Sequence, residues 1–364
     1  MANSLIIKNK IKSFNKVISV SGDKSISIRW VLLSSLANGI SKAKNLLMSD
    51  DVLSALKAIK KLGIKSKIKS DECVIYGKGL NGYQYKKGIT INAKNSGTLG
   101  RLILGFLVDT PYPIKLIGDK SLSKRDFSRV IFPLEKFGAS FKHNKNFTLP
   151  LEIVGTQNAK PIKYLEKKGS AQCKSSIMLA ALNTKGETFI KAKKSRNHTE
   201  ILFKHLNIPI NVKKNKNFDF IKIKGGFQFS GFNYRIPSDI SSSAFFIVLT
   251  ALSNNSELTI KNVNINPSRT GILEILKMMG VKIKILNKRI YKGENIANIV
   301  VKSNNNLKAI NCPIRLNSSA IDEFLLIFLV AAKAKGISYF KQLSELNQKE
   351  SPRLVWGSKI LRMM

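Results

Sequence analysis

Five stretches of this 364-residue chain follow one plan, and that repetition narrows the possible folds more than any other feature. Each begins with small hydroxyl residues, continues as an apolar run of helix length, and turns into a short strand-like stretch. They open at Ser25 (SISIRWVLLSSL), Ser96 (SGTLGRLILGF), Ser170 (SAQCKSSIMLAAL), Ser238 (SDISSSAFFIVLTAL) and Ser318 (SSAIDEFLLIFLV). A period of roughly 70–80 residues is too long for a solenoid repeat and suits a small βαβαββ module. A Ser-rich start favours an N-cap, where the hydroxyl oxygen accepts a free backbone N–H, and the run behind it supplies a core-facing helix.

A second helix follows each of the first four starts, ending in Gly or Asn before a β-branched strand. The stretches are LKAIKKLGIKSKI from Leu56, PLEKFGASFK from Pro133, LFKHLNIPINV from Leu202 and LEILKMMGVKIKI from Leu273. Gly63, Gly138 and Gly280 stand where a left-handed C-terminal cap belongs. Each unit reads helix, strand, helix, strand, strand, so the chain is an α/β protein of two domains built from repeats. The closing SKILRMM matches LEILKMM at Leu273–Met279, but no glycine and strand follow it before Met364. A C-terminally truncated product is therefore expected: its fifth unit cut short, its sixth absent, inactive and prone to aggregate, with residues 21–235 the better-folded half.

Composition permits two large cores. With 43% hydrophobic and 8% aromatic residues, the chain is not a disordered tail, even at a net charge of +40. The longest apolar runs, Ala244–Leu252 and Phe324–Ala332, are about half the ~18 residues that a membrane span needs. Met1–Lys16 has no apolar signal core or cleavage site, so a cytoplasmic protein without membrane association is expected. The 62 Lys+Arg against 22 Asp+Glu fit either a background bias toward Lys or a general attraction for anionic substrates. No window holds a dense basic block interleaved with aromatics, nor an RNP, KH or zinc-finger pattern, so nucleic acid is not expected as a partner. Cys73, Cys173 and Cys312 are never paired as C-x-x-C and read as small buried hydrophobes. His143, His198 and His205 show no metal-ligand spacing, and no metal is expected.

Chemistry concentrates at helix starts. In Ser21-Gly22-Asp23-Lys24-Ser25-Ile26-Ser27-Ile28-Arg29 a strand, Lys16–Ser21, turns through Gly22 into a helix opening with hydroxyls and cations. Free N–H groups, the positive end of the helix dipole, Lys24 and Arg29 make an anion site there; a plain capped helix with two surface cations is the alternative. The device recurs at Asn95-Ser96-Gly97-Thr98 with Arg101, at Ser170-Ala171-Gln172 with Lys174, at Ser121–Arg125, and at Ser195–Glu200. Five such starts on symmetric units point to a cleft for several anionic groups, with Arg forks suited to carboxylate and phosphate.

Two acids stand out on this basic ground: Asp322, at a helix start, and Glu350, in Lys349-Glu350-Ser351-Pro352-Arg353. They read either as first-turn acids favoured by the helix dipole or as proton-transfer groups beside cations. Gly77-Lys78-Gly79-Leu80-Asn81-Gly82 matches G-x-G-x-x-G, but no helix opens behind it, and a β-turn pair explains the glycines.

With these motifs in order along essentially the whole chain (SGDKSISIR, NSGTLGR, GDKSLSKRDFSRV, SAQCKS, SRNHTE, PSDISSSAFF, AIDEF and KESPR), the sequence resembles the 5-enolpyruvylshikimate-3-phosphate synthase family. The sibling UDP-N-acetylglucosamine enolpyruvyl transferases open with a G-A-K-N-A-type motif and use a loop Cys, and neither stands here. The resemblance implies an inside-out α/β barrel of repeated βαβαββ units in two domains, residues 1–20 plus 237–364 and residues 21–236, with the active site in the interdomain cleft. It also implies enolpyruvyl transfer from phosphoenolpyruvate to the 5-hydroxyl of shikimate 3-phosphate, without metal or redox cofactor, by a monomer.

Carried over by motif, Lys24, Ser25, Arg29, Ser170, Ala171, Gln172, Ser195 and Lys349 would hold shikimate 3-phosphate. Gly97, Arg125 and Arg353 would hold phosphoenolpyruvate, with Lys24 and Gln172 reaching both ligands. Asp322 matches the base at the 5-hydroxyl and Glu350 the neighbouring proton-transfer acid, with Lys24 counted beside them as catalytic. Gly97 would lie beside the family's inhibitor glyphosate. Two departures stand out. Pro352 replaces an Asp of the usual K-E-[ST]-D-R, fixing φ and removing an N–H just before Arg353, so a displaced Arg353 is expected. The family's D-H-R segment and a later Lys have no counterpart before Met364.

Overall fold

The structure, a computed structural model, describes residues 11–69 and 71–363. Residues 1–10 of the segment 1–20 lie outside the described residues. The chain forms two compact units. Unit 2 comprises Ser21–Pro237 and Ile290–Glu294; unit 1 comprises the described part of Met1–Val20 with Ser238–Arg289 and Asn295–Met364. The short segment 290–294 thus belongs to unit 2, although the division at residue 237 counts it with the other domain.

The described chain opens with β1 (Asn15–Ile18), which belongs to unit 1. Unit 2 then runs through three modules. The first is α1 (Lys24–Leu36), β2 (Asn38–Lys44), α2 (Asp50–Lys61), β3 (Lys65–Lys69) and β4 (Glu72–Lys78). The second is β5 (Thr90–Asn92), α3 (Gly97–Phe106), β6 (Ile114–Ile117), α4 (Ser128–Lys136), β7 (Ser140–Lys142) and β8 (Leu151–Val154). The third is β9 (Lys163–Glu166), α5 (Ala171–Asn183), β10 (Gly186–Lys193), α6 (His198–His205), β11 (Ile210–Lys214) and β12 (Phe218–Gly225), followed by β13 (Asn233–Arg235). Unit 1 continues with α7 (Ile240–Leu252), β14 (Glu257–Asn264), α8 (Gly271–Met278), β15 (Lys282–Tyr291) and β16 (Glu294–Lys302). It closes with α9 (Asn317–Ala320), α10 (Phe324–Lys333) and α11 (Arg353–Met363).

Among the described residues four sheets of four strands result, ordered β13-β2-β4-β3, β5-β6-β8-β7, β9-β10-β12-β11 and β1-β14-β16-β15. In each, the leading strand runs parallel to the second, and the second is antiparallel to the third. A parallel pair needs a crossover, which the Ser-started helix supplies in the second and third modules. The other two leading strands are exchanged. β1 feeds α1 yet pairs with β14, while β13 feeds α7 yet pairs with β2. β1 stops at Ile18, short of the expected Ser21, because its partner β14 shifts register after Ile260. The fifth repeat keeps both helices, α10 and α11, but its strands reduce to the isolated bridges Lys308–Lys335 and Asn311–Tyr339.

The pattern of burial follows the repeat. α1 and α5 are buried nearly all round, residues 26–36 and 173–182 without exception, polar ones such as Arg29 and Lys174 included. The second helices are one-sided and end as expected, with Gly63, Gly138 and Gly280 at φ of 84°, 108° and 90°, and Asn207 at 54°. Each unit has its own apolar core, one around Trp30, Phe106 and Phe203, the other around Phe324, Ile247 and Leu276. Gly79 and Asn81 have positive φ in a turn after β4, so the glycine-rich stretch there opens no helix.

Within unit 2, α3 lies directly against α5. A Cβ on Gly105 would stand 1.9 Å from the Ser176 carbonyl oxygen, a backbone atom that cannot move aside alone. Gly105→Ala is therefore expected to lower stability by about 2–3 kcal/mol or more. Gly100→Ala, whose methyl would meet the Phe127 ring at 3.4 Å, is expected to stay within about 1 kcal/mol of the parent. Denaturant unfolding of the two variants checks the contrast, which equal stabilities would contradict.

Candidate active site

In unit 2 the expected residues gather at helix N-termini. Asp23, fully buried, caps α1 by accepting the Ile26 N–H at 2.9 Å. Lys24 is the first helical residue, its ammonium 3.8 Å from Asp51. Half-buried Ser25 follows, and its carbonyl accepts from Arg29 at 3.0 Å. Arg29 is no surface cation. It is 4% exposed, donating through Nε to Thr199 Oγ1 and through Nη2 to Ser175 Oγ, both at 2.7 Å. Burial lowers its pKa to about 10, with Glu200 and Asp23 opposing, so it stays a cation at neutral pH.

A second cluster surrounds Gly97, the first residue of α3, where Ser96 caps the helix through the Leu99 N–H. A Cβ on Gly97 would stand 2.9 Å from Arg125 Nη1 and 3.0 Å from Arg101 Nη1, so two guanidinium groups flank this helix start. Arg101 donates to Gln172 Oε1 at 2.9 Å and to the Asp126 carbonyl, and lies over the Phe127 ring. Gln172 turns its amide nitrogen to Thr98 Oγ1 at 3.0 Å. Arg125 reaches Asn95 Oδ1 at 3.1 Å. Burial first, then Arg125 and Arg129, lower the Arg101 pKa to about 10. Like charges crowded at the positive end of a helix need an anion. Ser170 caps α5 through the Cys173 N–H, and half-buried Ala171 and Gln172 follow it. Ser195 lies in the short loop before α6, its hydroxyl buried without a hydrogen-bond partner among the described residues.

Some of the machinery that positions these groups escaped the sequence reading. Thr199 and Ser175, which hold Arg29, also bond to each other at 2.7 Å. Lys174, fully buried on α5, pairs with Glu200 of α6 at 2.6 Å and lies 3.9 Å from Asp219. His198 Nδ1 meets Glu294 Oε1 at 2.6 Å, both groups fully buried. The available signal was the pair of motifs SAQCKS and SRNHTE, each placing a charged residue inside an apolar run. Lys174→Met is expected to cost about 3–5 kcal/mol by stranding Glu200 and Asp219 in the interior. Chemical denaturation checks this, and a loss below about 1 kcal/mol would contradict so buried a pair.

The acids lie in unit 1. Asp322 sits in the turn between α9 and α10 rather than in a helical first turn, so the reading of a helix-start acid is corrected. The N-cap of α10 is Glu323, which α10 buries at 1% exposure. Its carboxylate accepts from Ser241, whose hydroxyl also accepts from buried Arg269 at 2.6 Å. Arg269 lies 3.8 Å from Asp239, the cap of α7. This buried chain ties three helix starts to the turn that carries Asp322. Arg353, first residue of α11, meets Asp322 Oδ1 at 3.3 Å and Glu350 Oε2 at 2.7 Å. Lys349 lies 3.8 Å from Asp322 and 3.5 Å from Glu345. Pro352 costs α11 no hydrogen bond, since N–H groups at a helix start have no intrahelical partner. Its carbonyl accepts from Trp356 at 3.1 Å, and Arg353 still reaches both acids.

Comparison with known proteins agrees with these motifs. The family model described as EPSP synthase (3-phosphoshikimate 1-carboxyvinyltransferase) matches residues 8–364. The 3-phosphoshikimate 1-carboxyvinyltransferase of Vesicomyosocius okutanii is 44% identical over 352 residues, 96% of this chain and 79% of that protein. Its namesake in Ruthia magnifica is 43% identical, with the same shares covered. A solved EPSP synthase from Acinetobacter baumannii superposes with a TM-score of 0.85 at 36% identity, over 97% of this chain and 79% of that one. The enolpyruvyl transferase NikO from Streptomyces tendae, at 11% identity and a TM-score of 0.66 over 90% of this chain and 73% of its own, shares the fold. A match over nearly the whole chain, at such identity, makes this protein a member of the EPSP synthase family.

Proposed function

We propose that the chain is a 3-phosphoshikimate 1-carboxyvinyltransferase, moving the enolpyruvyl group of phosphoenolpyruvate to the 5-hydroxyl of shikimate 3-phosphate and releasing phosphate. The observation that carries it is the pair of guanidinium groups, Arg101 and Arg125, flanking Gly97 at a helix start. Both substrates bring a phosphate and a carboxylate, and forked donors at a helix N-terminus suit both. The reading includes a monomer of the cytoplasm. Among the described residues, no helix is long and apolar enough to cross a membrane.

In this reading Gly97, Arg125 and Arg353 take phosphoenolpyruvate, and Lys24, Ser25, Ser170, Ala171, Gln172, Ser195 and Lys349 take shikimate 3-phosphate. Arg29 acts partly from below: its bonds to Ser175, Thr199 and the Ser25 carbonyl fix the start of α1. Chemistry then needs two proton movements. Asp322 accepts the proton of the 5-hydroxyl as its oxygen adds to C2 of phosphoenolpyruvate, while a proton from Glu350 makes the methylene carbon a methyl. The tetrahedral adduct loses a methyl proton as its C–O bond to phosphate breaks, restoring the double bond. Atoms balance: one enol ether and one inorganic phosphate. Lys24 and Arg353 stabilise, in this reading, charge on the departing phosphate and the carboxylate.

Phosphate release on mixing the chain with phosphoenolpyruvate and shikimate 3-phosphate tests the assignment. Release with UDP-N-acetylglucosamine as acceptor, or binding of shikimate 3-phosphate with no release, would contradict it. Asp322→Asn removes charge but little shape, so kcat is expected to fall by about 10²–10⁴ with shikimate 3-phosphate affinity nearly unchanged, read by steady-state kinetics and calorimetry. Near-parent turnover would remove Asp322 from the role of base. Gly97→Ala pushes a methyl toward two guanidinium ends, so KM for phosphoenolpyruvate is expected to rise about tenfold and glyphosate inhibition to weaken further still. Equal glyphosate sensitivity of the two forms would move the inhibitor away from Gly97.

A further inference from the structure

The sheet β9-β10-β12-β11 of unit 2 presents an outer face unlike those of β5-β6-β8-β7 and β1-β14-β16-β15. In those two, outward lysines stand against carboxylates: Lys142 meets Glu152 at 3.1 Å across β7 and β8, and Lys302 meets Glu257 at 2.7 Å across β16 and β14. Here they stand against rings. Phe189 on β10 is in register with Lys222 on one side and Lys163 on the other. Phe220 on β12 is in register with Lys191 and Lys213. Phe218 is in register with Lys193. The result is a checkerboard of rings and ammonium groups, with Lys222 5.4 Å from the centre of Phe189, and Lys191 4.9 and 5.6 Å from Phe218 and Phe220. Phe189 and Phe220 are 37% and 39% exposed, costly for apolar rings on a solvated sheet. The outward acid on these strands is Glu187, paired with Lys222.

We propose that this face binds single-stranded nucleic acid. The rings sit on β10 and β12, the two central strands of a four-stranded sheet, an arrangement on which unpaired bases stack. Diagonal neighbours on adjacent antiparallel strands stand about 7–8 Å apart, room for successive splayed bases. The lysines around each ring supply the backbone charge that such binding needs. A duplex hides its base faces and has no use for the rings. No window of the sequence holds this pattern, because β10 and β12 are separated by two further elements; the sheet assembles what the chain scatters. The face uses none of the residues assigned to the transfer reaction.

Fluorescence anisotropy with short labelled oligouridine and oligothymidine tests the proposal, beside a duplex of equal length and anionic phosphatidylglycerol vesicles. Single strands are expected to bind more tightly than the duplex, with affinity falling between about 50 and 200 mM salt. Phe189→Leu/Phe220→Leu keeps charge and apolar area but removes the rings, and is expected to weaken binding at least about tenfold with the salt dependence unchanged. Lys191→Gln/Lys222→Gln is expected to lower the slope of log affinity against log salt by roughly 1.4. Circular dichroism melts confirm that both variants fold. Parent affinity in the leucine variant would reduce the interaction to the chain's overall charge and overturn the proposal. Duplex binding as tight as single-strand binding, or binding to vesicles alone, would overturn it as well.

Discussion

Helix α3 can lie on α5 because residue 105 has no side chain. One turn toward the N-terminus from Gly105 is Arg101, and one turn from its contact residue Ser176 is Gln172. Residues four apart share a helix face, so the contact that brings the two backbones together also sets how Arg101 meets Gln172 at 2.9 Å. Thr98 then closes on the amide of Gln172, and the Gly97 end of α3 is held against the start of α5. The same helix carries Ser175, one of the two hydroxyls that hold Arg29. A single close approach thus fixes the geometry of both cation clusters in unit 2.

Charge gives that geometry its purpose. Burial and then the charge of Arg125 lower the affinity of Arg101 for its proton, and both guanidinium groups stand at a helix end that already carries positive partial charge. Such an arrangement favours an anion. Unit 1 balances charge differently. There Arg353 joins two carboxylates, Asp322 and Glu350, and the turn under Asp322 is anchored by the buried chain of Asp239, Arg269, Ser241 and Glu323. Asp322 is thus held on an anchored turn, beside the cations Lys349 and Arg353.

The repeat, the helix starts and the glycine caps were legible because each is local: a Ser before an apolar run, a Gly after it, at a fixed period. The exchange of leading strands was not. β1 and β13 are three or four residues long, and their partners β14 and β2 lie about two hundred residues away, so pairing rather than pattern selects them. The local motif leaves Arg29 readable either as an anion-site cation or as a surface cation, because sequence does not show that Thr199 and Ser175 come to meet it. Asp322 was assigned to a helix start one residue early, since Glu323 competes for the same cap. Lys174, expected as a cation of the anion cleft, is instead fully buried against Glu200, and Glu294 shows no local signal, for the same reason: each is tolerable only with a partner from a distant strand or helix.

The oxygen that travels with the released phosphate decides most directly whether these clusters perform enolpyruvyl transfer. Phosphoenolpyruvate labelled with heavy oxygen at the bridge between carbon and phosphorus, turned over with shikimate 3-phosphate, should yield phosphate that keeps the label, because the adduct breaks at carbon. Phosphate carrying solvent oxygen in its place would mean cleavage at phosphorus, the chemistry of a phosphatase, and would contradict the transfer mechanism built on Asp322, Glu350 and the arginines around Gly97.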